Sequence, residues 1–185
     1  MHEPAAGSVV RDTRNWLERA VIGLNLCPFA KAVHVKEQVH YAVSTARDTG
    51  ELLGDLGAEL DALLATDPSV RETTLLIAPY MLHDFLDFND FVGSAERLLR
   101  KRRLDGEIQL ASFHPHYQFA GTQADDVTNF TNRSPYPVLH LLRETSIDRA
   151  VEAFPDAASI YDTNMQTMKK LGADGWAALD VGPHE

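Results

Sequence analysis

The chain carries little that would attract a large charged partner. Its 185 residues include one cysteine, Cys27, so no intrachain disulfide can form. Cations are scarce: 17 Lys and Arg face 27 Asp and Glu, a formal net charge of −10. Nucleic acids and anionic membranes bind through neutralising cations, so this balance argues against both as partners. The local basic run, Arg100-Lys101-Arg102-Arg103, falls in the last turn of an expected helix, where cations offset the negative end of the macrodipole. No apolar run approaches the ~20 residues of a membrane span. The opening residues, MHEPAAGSVVRDTRNW, lack the charged-then-apolar pattern of a secretion signal. A cytoplasmic protein is the expectation.

What is present suits a globular chain. The apolar fraction of 44% can fill a core, and no repeat, low-complexity tract or linker divides the sequence. One domain is expected over 1–185, with residues 1–10 and 177–185 flexible. Trp16, Ala20, Val21 and Leu24 recur at helical spacing, and Pro28 ends that helix. VHYAVSTA reads as a strand, the leucines from Leu52 to Leu64 as a helix, and TTLLIAP as a strand buried on both faces. HDFLDFNDFVGSAERLLRKRRLDG reads as a third helix stopped at Gly106, and EIQLASF as a third strand. PVLHLLRE is expected to be a short helix. TSIDRAVEAF follows with Thr145 and Asp148 spaced as a capping box, and Pro155 opens a last helix ended by Gly172. The expected class is α/β: a small, mainly parallel sheet of about three strands with crossover helices, an N-terminal helix and a C-terminal helical segment.

Ligands of open parallel sheets gather beyond the carboxyl ends of the strands. There the sequence places SFHPHYQFAGTQADDVTNFTNRSPYP, Ser112 to Pro137, rich in side-chain donors and acceptors. His114 and His116 alternate in extended chain and could grip one divalent metal, zinc or iron, with Asp125 or Asp126 adding oxygen ligands. Pro115 between them works against that alternation. Arg133 offers a fork for a carboxylate or phosphate, Asn129, Asn132 and Thr131 supply neutral hydrogen bonds, and Tyr117, Phe119, Phe130 and Tyr136 could exclude water. The competing structural reading is a rigid loop whose Asn and Asp side chains bond their own backbone.

Cys27 sits in LNLCPFA. The CPFA turn resembles that of glutaredoxins and glutathione transferases, but this thiol follows a helix, whose carbonyl end disfavours thiolate. A small buried thiol beside Phe29 is the default, and a nucleophile facing His114 is the catalytic alternative. His140, between leucines, reads as a satisfied half-buried histidine.

The strings WLERAVIGLNLCPFA, ETTLLIAP, DFLDFNDF, LASFHPHYQFAGT, DDVTNFTNRSPYPVLHLLRE and DRAVEAFPDAASIYDTN resemble a widespread bacterial family labelled only as a domain of unknown function, DUF1415. The resemblance runs from about Arg14 to Trp176 and implies one complete domain in a bacterial cytoplasm, without an activity. Its F-H-P-x-Y-x-F pattern leaves the position of His116 variable, which favours His114 alone beside Asp126, Asn129, Asn132 and Arg133.

The expectation is therefore an enzyme for a small anionic metabolite, a metal-dependent or histidine-based hydrolase being the nearest reaction class. His114 is its acid/base or metal ligand, Asp126 orients it, Cys27 is a further nucleophile, and Asn129, Asn132, Arg133, Tyr117 and Tyr136 bind substrate. The alternative is a non-catalytic module that captures a small ligand or a protein with the same loop.

Overall fold

Two of the long helices form where the sequence caps them. A computed structural model describes residues 3–153 and 159–184. Asp48 accepts from Glu51 N at 2.9 Å and starts α3 (Thr49–Ala65), whose Leu52, Leu56, Leu60 and Leu63 are all buried along one face. Asp84 accepts from Leu86 N at 2.8 Å and from Asp87 N at 3.2 Å, opening α4 (Phe85–Lys101), and Arg100 and Lys101 close it as expected. Both helices pack on one face of a sheet, where Leu76, Leu139 and Leu141 meet them.

That sheet corrects the expected one. It has four strands, β1 (Val39–Val43), β2 (Thr73–Ile77), β3 (Ile108–Phe113) and β4 (Val138–Arg143), in the order β1-β2-β4-β3. Only β1 and β2 pair in parallel; β4 is antiparallel to both β2 and β3. The three strands read from sequence do point the same way, but β4 runs back between two of them. PVLHLLRE, expected as a short helix, supplies that strand. A central strand is apolar on both faces, and a short apolar run has no period that separates it from a buried helix.

The other face is covered by α1 (Ala6–Trp16), a π-helical turn (Leu17–Ile22), α2 (Ala30–Val35) and α5 (Glu144–Ala153). Val9 packs with Leu75, Ile77 and Val138, and Trp16 meets Phe113 edge-on at 5.2 Å. The π turn shows in Gly23 N to Glu18 O at 2.9 Å and Leu26 N to Val21 O at 2.8 Å. Its exit needs glycine, because a Cβ on Gly23 would lie 2.2 Å from Arg19 O. α5 begins at Glu144, directly after β4, so Thr145 lies inside its first turn rather than capping it. Pro155 falls outside the described residues.

α6 (Ser159–Ala178) is interrupted at Gly172, whose φ of 70° is left-handed. Its Trp176 stacks on Phe130 at 5.2 Å. Towards the two ends, Val9 is fully buried and Val181 is buried beside Trp16. Among the described residues no helix is long and apolar enough to cross a membrane.

Candidate functional site

The polar stretch is the connection from β3 to β4, at the carboxyl ends of β1, β2 and β3. Its first side chain, His114, is completely buried between the rings of Phe85 and Phe88, with centroids 5.5 and 5.0 Å away. Nδ1 accepts from His116 N at 3.0 Å, so the proton sits on Nε2, which donates to Leu82 O at 2.9 Å. Burial pushes its pKa down. The ring is thus a neutral pin. It holds the carbonyl of Leu82, a residue at the left-handed φ of 56°, and both its nitrogens are engaged.

The rest of the loop is closed on itself in the same way. Asn129, with no exposed surface, accepts at Oδ1 from Phe119 N at 2.9 Å, shares the Thr122 hydroxyl proton at 2.9 Å with Phe119 O at 2.8 Å, and donates from Nδ2 to Gln123 O at 2.8 Å. Asn132 donates to Ser112 O at 3.2 Å. Arg133 donates to Ala124 O at 2.6 Å and to Tyr117 O at 3.4 Å, and lies 4.6 Å above the Phe130 ring. Asp126 caps the 3₁₀ helix Val127–Asn132 through Thr128 N and Oγ1, at 2.9 and 2.7 Å, which holds its carboxyl below the usual range. Tyr117 packs on Phe85 and Phe119, while buried Tyr136 donates to Asp12 Oδ2 at 2.9 Å.

The structure brings His114 beside the exposed His116, with ring centroids 5.9 Å apart, but the bond between them uses the His116 backbone. No described hydrogen bond joins His114 to Asp126 or to Cys27. Among the described residues no group of three or more His, Cys, Asp and Glu is placed to hold a metal ion.

A cavity of about 160 Å³ opens at the other end of the sheet, between its β1, β2 and β4 edge and the helices α2 and α5. Its apolar wall includes Leu17, Phe29, Val33, Val39, Leu75, Leu142 and Ile147, and its polar groups come from Cys27, Glu72, Thr73, His140, Arg143 and Ser146. Most of these polar groups are satisfied. Glu72 accepts from Ser146 Oγ and, at 2.8 Å, from Arg149. Arg143 donates to Leu63 O at 2.5 Å and Thr66 O at 2.7 Å, and its Nε is sealed from solvent without a partner.

His140 leaves a neutral ring nitrogen unpartnered. Thr73 Oγ1 gives its single proton to Leu141 O at 2.6 Å, so at 2.7 Å it accepts from Nε2–H of His140. Nδ1 is left as a lone pair with no partner among the described residues. It is not among the sealed unpartnered atoms, Tyr41 Oη and Arg143 Nε, and its ring borders the cavity. Desolvation drops the ring to a pKa of about 4. No described hydrogen bond links Cys27 to His140, and so weak a base does not take a proton from a thiol at neutral pH.

The family model described as "Protein of unknown function (DUF1415)" matches residues 8–178. The chain belongs to this family. No curated protein and no solved structure matches it. For this DUF1415 member, the groups that sequence reasoning missed are those of the cavity. The sequence reading puts His140 on a short helix, whereas on β4 its neighbour two residues on, Leu142, shares its face. Alternation along Val138, His140 and Leu142 was the available signal.

Proposed function

We propose that this protein binds a small, largely apolar molecule in the cavity beside β4, rather than an anion at the β3–β4 loop. The supporting observation is the cavity itself: about 160 Å³ with mostly aliphatic and aromatic walls. A dry apolar cavity of roughly 150 Å³ holds a benzene-sized guest. The loop presents the opposite condition. Its Asn129, Arg133 and His114 groups are engaged by neighbouring backbone, and an incoming anion would have to displace those bonds.

The test is saturable binding of benzene, followed by the cavity residues' chemical shifts, in the wild type and in Ala150→Phe, which fills the cavity from α5. Binding that Ala150→Phe abolishes while Arg133→Ala leaves it intact is the expected result. Absence of saturable binding, or loss only in Arg133→Ala, would overturn the reading.

A further inference from the structure

An apolar cavity bordered by an uncharged, unpartnered ring nitrogen is selective in a definite direction. Of the other polar side chains named on its lining, Thr73 and Ser146 are engaged, Glu72 and Arg143 are each held through one terminal atom, and the thiol of Cys27 is a weak donor and acceptor. The protonation of His140 is set from outside: Thr73 has only one proton, and Leu141 O takes it. Thr73 can therefore only accept from His140, which keeps the ring proton on Nε2 and leaves Nδ1 an unpartnered acceptor on a ring that lines the ligand space. A purely hydrocarbon guest would strip water from Nδ1 without replacing its hydrogen bond. A carboxylate would set an anion against that lone pair in apolar surroundings and lose its hydration.

We propose that the cavity selects a neutral, compact molecule that is apolar except for a single hydroxyl or ring N–H, of the phenol or indole type, donated to Nδ1 of His140. This rests on the reading of the cavity as the ligand site. The thiol of Cys27 lines the same space and reports its occupancy, because a bound guest shields the protein's one cysteine from alkylation.

The experiment titrates phenol, toluene and benzoate into the full chain by calorimetry, with the rate of Cys27 alkylation by iodoacetamide as a second readout. Phenol should bind about tenfold more tightly than toluene, the worth of one net hydrogen bond. Benzoate should bind least, and phenol should slow alkylation more than toluene at equal concentration. His140→Gln keeps an amide donor towards Thr73 and removes the Nδ1 acceptor, so it should equalise phenol and toluene while toluene still binds. Thr73→Val, which releases the proton to either ring nitrogen, should narrow the preference without removing the guest. Equal affinity of phenol and toluene for the wild type would overturn the donor rule and leave the cavity reading standing. Failure of both to bind or to protect Cys27 would overturn the cavity reading as well. Tight binding of benzoate would reverse the assigned polarity.

Discussion

His114 and His140 stand on either side of the β3–β4 connection and face opposite sides of the sheet. His114 closes the loop end: both nitrogens are bonded, its ring lies between Phe85 and Phe88, and no surface is exposed. His140 borders the cavity, bonded through Nε2 to Thr73 and open at Nδ1. Burial lowers the pKa of both, so a depressed value does not tell them apart. The number of engaged nitrogens does. A dense run of polar residues indicates a need for hydrogen bonds, and in this loop the backbone itself meets that need.

The comparison breaks most readily at Asn129. If the loop is scaffold, Asn129→Ala removes the bonds from Phe119 N and to Gln123 O together with a share of the Thr122 proton, and strands the amide of Phe119. At roughly 1 kcal/mol for each bond and more for a donor left buried, the expected loss is about 3–4 kcal/mol in urea unfolding. Binding at the cavity should be unchanged under conditions where the variant is folded. A variant within 1 kcal/mol of wild type would show that the loop's closure is not what holds it, and would reopen it as a site.

A second test uses protons. His140 is neutral in the fold down to a pKa of about 4, while an unfolded histidine titrates near ~6.5. Between those values the unfolded chain binds more protons, so stability falls as pH falls through the window. The full shift corresponds to up to about 3 kcal/mol. His114 contributes a limb of the same sign. His140→Phe should therefore flatten the acid limb in part, as read from unfolding free energies between about pH 6.5 and 4. Parallel limbs for wild type and variant would mean that His140 is not held neutral.

Much of this frame is legible in the chain. Asp48 and Asp84 mark helix starts, the leucines of α3 mark a buried face, and TTLLI is apolar enough for a central strand. β4 is not, because Val138–Arg143 fits a strand or a buried helical turn until its neighbours are known, and with it went the antiparallel half of the sheet. The cavity was hidden for a related reason. Cys27, Thr73, His140 and Ile147 come from four separate segments, and only pairing and packing bring them round one space. In the loop the residue types were visible but their partners were not. Asn129 looks the same in sequence whether it faces a ligand or the amide of Phe119.

The smallest predicted effect concerns a third histidine and sharpens the contrast by carrying the opposite sign. Asp12 is a buried carboxylate that accepts from Tyr136 Oη at 2.9 Å and from the backbone N and Nδ1 of His184, both at 3.2 Å. Nε2 of His184 lies 3.2 Å from Asp180, whose other oxygen is 3.9 Å from Arg19, and Arg11 approaches Asp12 at 3.7 Å. Hydrogen bonds to Asp180 and then to Asp12 raise the pKa of His184. A raised folded value means that its contribution is fully present below ~6.5, the unfolded value, and is lost as pH climbs through the higher folded value. Acid should therefore tighten the packing of Val181 and the tail while it loosens the surroundings of His140 and His114. The charges are partly exposed, so the effect is local and is weakened by salt. Amide exchange at residues 179–184 should be a few-fold faster in His184→Ala than in wild type at about pH 6, and nearly equal to it at about pH 8.5. Equal exchange at the lower pH would mean that Tyr136 and the apolar contact of Val181 hold the tail without the imidazolium.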